Sequence, residues 1–82
     1  MQSFEQQVTV PIRYEGIDLD AGIRIDIWLE RSVIVELKAV ERIVPVHEAQ
    51  LLTYLKLTGN RVGLLVNFNT RLIRDGIRRV VL

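Results

Sequence analysis

The chain has no cysteine among its 82 residues and a single histidine, His47. It therefore carries no disulfide framework and no zinc-ligand spacing. Neither a Ser-His-Asp set nor a glycine-rich phosphate loop is present. No apolar run approaches the roughly 20 residues of a membrane span, and residues 1–5 lack the basic and apolar regions of a signal peptide, so the expectation is a cytoplasmic protein with no membrane partner. An excess of one charge is missing as well. Eleven Lys and Arg against ten Asp and Glu leave a net charge of +1, which argues against a globally basic nucleic-acid coat. Internal repeats and low-complexity linkers are absent.

What remains is 49% apolar and 26% charged, the composition of one small soluble domain over residues 1–82. At this size only roughly 60 to 65% of the unfolded chain's surface is buried, so stability is expected to lean on a partner subunit or on flanking sequence.

The densest chemical signal is Arg24-Ile-Asp-Ile-Trp-Leu-Glu-Arg-Ser-Val-Ile-Val-Glu-Leu-Lys38. Ile25, Ile27 and Leu29 alternate with Arg24, Asp26 and Trp28, and Val33, Val35 and Leu37 alternate with Ile34, Glu36 and Lys38. That is the period-2 pattern of a β-hairpin. With Glu30, Arg31 and Ser32 as the loop, matched faces pair Leu29 with Val33, Ile27 with Val35 and Ile25 with Leu37. Asp26 then faces Glu36, and Arg24 faces Lys38. Like charges directly opposite are destabilising, since such Cβ atoms sit about 5 Å apart. A hard divalent cation bound by both carboxylates would compensate. The plain alternative is a solvated face on which Asp, Glu and Lys coincide, and a one-residue slip would remove the pairing.

Around this hairpin the order of elements is legible. Residues 7–14 alternate as a first strand whose internal Pro11 suggests an edge or irregular position, and Glu15-Gly16 makes a turn. The second strand begins near Ile17 and is interrupted by a bend or bulge within residues 18–22; the third runs over about 33–40. Pro45 opens a helix over 46–58 that Gly59-Asn60 stops. The apolar run 62–68 reads as a strand buried on both faces and, with a helix between it and the third strand, parallel to it. Asp75-Gly76 turns the chain into a last strand over 77–82. One helix is too few for this sheet, so an apolar face is left for a homodimer or for a missing N-terminal helix.

Strand, acid, turn, strand ending in Glu-x-Lys and then helix resembles the PD-(D/E)xK nuclease superfamily. Asp26, Glu36 and Lys38 stand at the signature positions. The stretches Val33-Ile-Val-Glu-Leu-Lys-Ala-Val-Glu41, Pro45-Val-His-Glu-Ala-Gln-Leu-Leu-Thr-Tyr-Leu55 and Gly63-Leu-Leu-Val-Asn-Phe-Asn69 are similar to the bacterial GxxExxY protein family, and the similarity covers nearly the whole chain. The resemblance implies an α+β, restriction-endonuclease-like mixed sheet in the order β-β-β-α-β-β, with the helix bearing the GxxExxY motif absent and its glutamate with it. It further implies Mg²⁺ or Mn²⁺ held by Asp26, Glu36 and the Leu37 carbonyl, and Lys38 acting on the attacking water. Gln50 and Tyr54, one helical turn apart, would face the metal. The implied activity is hydrolysis of nucleic-acid phosphodiesters. The alternatives are an inactive nuclease-fold domain that binds nucleic acid or protein, and a dimerising fragment.

Other residues carry a functional and a structural account side by side. His47 and Glu48 suggest acid-base chemistry or merely a helix start, and Glu41 an extension of the acidic site or surface charge. Trp28 would stack on a base or cover the sheet. Asn67 and Asn69 would contact a ligand or serve a turn. Arg71, Arg74, Arg78 and Arg79 form a phosphate contact or an ordinary solvated loop and edge strand.

Overall fold

The computed structural model describes residues 3–14 and 17–82. The Glu15-Gly16 turn lies outside the described residues. Five strands and one main helix follow in the order β1 (Phe4–Tyr14), β2 (Ile17–Leu29), β3 (Val33–Lys38), α1 (Pro45–Thr58), β4 (Val62–Asn67) and β5 (Ile77–Val81), with a single 3₁₀ turn at Ile73–Gly76 before β5. They form one mixed sheet in the spatial order β1-β2-β3-β4-β5. Among the described residues only β3 and β4 pair in parallel, and α1 makes the crossover between them. This is the α+β arrangement with the β-β-β-α-β-β order expected from the sequence. Among the described residues no helix is long and apolar enough to cross a membrane.

The β2–β3 hairpin turns as the residue pattern implied, with Leu29 opposite Val33 and Ile27 opposite Val35. Ser32 N–H donates to the Leu29 carbonyl at 2.8 Å, and the two central residues, Glu30 and Arg31, adopt φ of 50° and 57°. Two left-handed residues match the right-handed twist of the strands, but neither side chain favours that conformation. Tertiary contacts hold the turn in place. Arg31 forms a two-pronged ion pair with Glu5 at 2.6 and 2.8 Å, and its guanidinium lies 4.3 Å from the centre of the Trp28 ring.

Two features of the hairpin differ from a straight period-2 strand pair. The β2–β3 ladder ends at Ile27–Val35, so neither Asp26 with Glu36 nor Arg24 with Lys38 is a cross-strand pair. Arg24 instead hydrogen-bonds Gln7 on β1. The β1–β2 ladder also skips Gln7 and Asp26, and Gln7 has φ 54°. Across this break the faces exchange: Ile27 lies in the row of Val35 and Leu64, whereas Ile23 and Ile25 join the core with Trp28 and Ile34. A second irregularity, expected within 18–22, appears as a register shift opposite Val10–Ile12, with β2 itself continuous.

Helix α1 lies on one sheet face. Leu51 and Leu55, one turn apart, are fully buried against Ile25, Ile34 and Leu65. The helix starts at Pro45, where the missing N–H costs nothing, and ends at Gly59 with φ 75°; Asn60 N–H closes back onto the Leu55 carbonyl at 3.0 Å. Gly63 on β4 lets the helix approach, because a Cβ there would come within 2.8 to 2.9 Å of the Leu51 side chain.

Among the described residues no element covers the opposite face. Leu29, Val33 and Val62 form one row and Ile27, Val35 and Leu64 the next. Strand β4 is consequently buried on one face only, alternating buried and half-buried positions, rather than on both.

Two stability changes follow. Glu30→Gly should stabilise by about 0.5–1 kcal/mol by removing the left-handed strain. Gly63→Ala should destabilise by about 1–3 kcal/mol through overpacking under Leu51. Urea unfolding monitored by Trp28 fluorescence reads both.

Candidate metal centre

The break at Asp26 builds the site. Freed from the ladder, the Asp26 carboxylate accepts a hydrogen bond from the Leu37 N–H through Oδ2 at 2.9 Å. A side chain thus occupies the place where a strand carbonyl would stand, and it draws Asp26 towards the end of β3. Glu36 precedes Leu37 and points to the helix side, since its parallel-register neighbour Leu65 lies in the core.

Glu36 is only 7% exposed, and its Oε1 has no hydrogen-bond partner. A buried carboxylate oxygen without a donor is costly, and a charged one more so. The carboxyl is accordingly pushed up from its ordinary 4.5 to about 7. Burial is the main cause, followed by the negative charge of Asp26; the Lys38 ammonium and a hydrogen bond with the Asp26 backbone pull the other way.

Helix α1 closes the remaining side. Lys38 Nζ lies 3.5 Å from Gln50 Oε1, and Gln50 Nε2 donates to the Tyr54 hydroxyl at 3.2 Å. The Tyr54 hydroxyl is itself shifted upward, first by burial and then by the Glu36 charge, with the Gln50 bond opposing and Asp26 adding to the rise. The phenol therefore senses both carboxylates. Asp26, Glu36, Leu37, Lys38, Gln50 and Tyr54, singled out from the sequence, are brought together by three elements. Among the described residues no three His, Cys, Asp or Glu side chains cluster, so the acidic contribution is a pair. Two carboxylates, one short of hydrogen bonds, suit a hard cation that takes one or two carboxylates and keeps waters.

The neighbouring candidates have structural partners. His47 Nδ1 accepts from the Val44 N–H at 3.1 Å and so caps the start of α1. Glu48 pairs with Arg78, which takes that arginine out of the basic cluster. Glu41 and Asn69 are exposed, and Glu41 lines a cavity of about 320 Å³ together with Arg42, Asn67 and Arg78. Trp28 is a core residue under Arg31, and its indole Nε1 donates to Asn60 Oδ1 at 2.9 Å.

Two asparagines position the site from outside it. Asn67, 2% exposed, accepts from Val40 N–H at 3.0 Å and donates to the Val40 carbonyl at 2.8 Å. Beside it Phe68 N–H donates to the Lys38 carbonyl at 2.8 Å, so the end of β3 is clamped to the end of β4. Asn60, which reads in the sequence only as part of a helix stop, ties Trp28 to the Arg31 carbonyl at 2.6 Å. Its only sequence signal is its place after Gly59.

The comparison with protein families can now be set against this geometry. The family model of the PD-(D/E)XK nuclease superfamily matches residues 1–80. The chain belongs to this superfamily. No curated protein and no solved structure matches it. In this PD-(D/E)XK domain, the acid-turn-Glu-x-Lys order of the sequence coincides with the carboxylate pair, the adjacent ammonium and the helix polar pair described above.

The buried acid gives a pH signature. In metal-free buffer the folded state keeps the Glu36 proton up to about pH 7, whereas the unfolded chain loses it near 4.5, so stability must fall as pH rises through that window. Glu36→Gln should match the parent near pH 4.5 and exceed it by about 1–2 kcal/mol at pH 8. Denaturation midpoints across this range, compared between the two proteins, measure the difference.

Proposed function

We propose that this domain hydrolyses nucleic-acid phosphodiesters with Mg²⁺ or Mn²⁺, and that within the superfamily it stands with the bacterial GxxExxY proteins. The observation that carries the proposal is the buried Glu36 carboxylate, lacking a donor on Oε1 and lying beside a second acid. In water-excluded surroundings such a pair is stable as two anions only when a positive charge joins it.

Asp26 and Glu36 would hold the cation, with the Leu37 carbonyl oxygen as a third ligand. When bound, it would neutralise the acidic pair, stabilise charge on the phosphate oxygens and acidify a coordinated water.

The chain's own groups do the rest. The hydrogen bond from Leu37 N–H fixes one Asp26 oxygen and leaves the other available. Lys38, steadied by Gln50, directs an ammonium at the space beside the acids, where it orients the attacking water and offsets negative charge building on the phosphate. Tyr54 accepts from Gln50 and keeps its own O–H as a donor to a phosphate oxygen. Helix α1 covers the Glu36 carboxylate, and burial strengthens the charge interactions of that group.

Thermal unfolding and cleavage of end-labelled DNA and RNA test the proposal on one set of samples. A cation at roughly ten times its Kd should add about 1.4 kcal/mol to the parent, several degrees in Tm. Asp26→Asn keeps an acceptor for Leu37 N–H, so it should fold, lose the metal-dependent rise and lose at least about 100-fold in cleavage rate. Lys38→Met should retain the metal-dependent rise and lose cleavage. A parent whose stability ignores both cations and that cuts neither nucleic acid would refute the proposal.

A further inference from the structure

The cavity of about 320 Å³ lies on the α1 side of the sheet, at the carboxyl ends of β3 and β4, and none of its lining residues belongs to the metal centre. Open α/β sheets bind ligands just outside the carboxyl ends of their parallel strands. Glu41, Arg42 and Ile43 come from the β3–α1 connection, Asn67 from the end of β4, and Thr70, Asp75 and Gly76 from the connection to β5. Asn67 is the register partner of Lys38, so the cavity and the metal centre stand on adjacent strands about 4.8 Å apart.

The walls are fixed without a ligand. The Asn67 side chain binds both backbone groups of Val40 and accepts from Asn69 N–H at 3.2 Å, which ties one connection to the other. The Leu72 carbonyl accepts from Thr70 Oγ1 at 2.8 Å and from Asp75 N–H at 3.0 Å. Gly76 is buried against the Asn67 carbonyl, where a Cβ would collide. The volume lies at the lower end of the range of small-molecule sites.

The uncommitted side chains decide what fits. Arg78 is engaged by Glu48, and the Asn67 amide by Val40 and Asn69. Among the described residues Arg42, Glu41 and Asp75 have no ion-pair or side-chain hydrogen-bond partner. One guanidinium and two carboxylates leave a negative balance, which disfavours a bare phosphate or other anion. They suit a ligand with paired donors and paired acceptors, since a carboxylate takes two adjacent N–H groups and a guanidinium two adjacent acceptors. Guanine presents both, N1–H and N2–H₂ on one edge and O6 and N7 on the next. Adenine is read by a carboxamide, and the one amide of the lining is already spent. Cytosine offers the two carboxylates a single donor group.

We infer that the cavity receives an unpaired guanine of the substrate strand. Asp75 accepts from N1–H and N2–H₂, Arg42 donates to O6 and N7, and Ile43 lies against the ring. Bases taken out of the stack are read in this way, at the edge by hydrogen bonds and on the face by apolar contact. Arg71 and Arg74, exposed on the same β4–β5 connection, serve the flanking phosphates. The assignment rests on the nucleic-acid reading of the metal centre, whose cleavage and cation tests are separate from the binding measured below.

Amide NMR spectra of the parent in metal-free buffer, titrated with GMP, AMP, CMP and UMP, read the base preference. GMP should move the amides of Arg42, Thr70, Gly76 and Arg78 at lower concentration than the other three. Fluorescence anisotropy of a labelled hexathymidylate, compared with the same strand carrying one central guanine, reads the strand. The guanine should tighten binding about fivefold or more. Asp75→Asn and Arg42→Met, both at exposed positions, should keep the fold by circular dichroism and lose both preferences. Arg61→Met removes an exposed arginine at the opposite end of β4 and should retain them. Cavity amides that respond to no nucleotide, an equal response to all four, or a guanine preference untouched by Asp75→Asn would each overturn the inference. Binding of free GMP with no effect of guanine in the strand would overturn the strand as its source.

Discussion

The hydrogen bond from Leu37 N–H to Asp26 Oδ2 is the contact on which the rest of the site depends. A backbone donor that would otherwise need a carbonyl from β2 is satisfied by a carboxylate, so the ladder can stop at Ile27–Val35 without an orphaned group. Stopping there lets β2 change faces, and the change lets Ile23 and Ile25 enter the same core as Trp28 and Ile34. One side chain therefore ends a ladder, redirects a strand and brings a negative charge near Glu36.

Glu36 bears the cost. It sits beneath α1 beside a second acid, with one oxygen unpartnered and its proton held to about pH 7. Such strain is expected where a site is arranged for a ligand rather than for the stability of the ligand-free fold. Around it the supports are firm: Asn67 clamps Val40, Phe68 N–H holds the Lys38 carbonyl, and His47 secures the start of the helix that carries Gln50 and Tyr54.

The sheet separates two kinds of surface. On the α1 side the central strands carry the buried Glu36 and the half-buried Asp26 and Lys38 at the margin of the core; on the other side the same strands carry valine, leucine and isoleucine. Among the described residues one 14-residue helix covers one side of the five-stranded sheet.

Much of this was written in the sequence. Period-2 alternation located the hairpin, Pro45 and Gly59 bounded the helix to within a residue, and the apolar run after it announced a parallel strand, because local sterics and turn chemistry act over a few residues. The order Asp26, Glu36, Lys38 and the superfamily resemblance were legible for the same reason. The face exchange at Asp26 was not, since Ile25, Ile27 and Trp28 are all apolar and alternation reads straight through them. Nor did the sequence show that Trp28 is tied to Asn60 or that Glu36 lacks a donor. Those facts depend on residues up to 32 positions apart meeting in space. Sequence alone determined the elements and their order; tertiary packing decided which face each acid lies on and how much solvent reaches it, because burial and charge coupling exist only once distant strands and the helix are assembled.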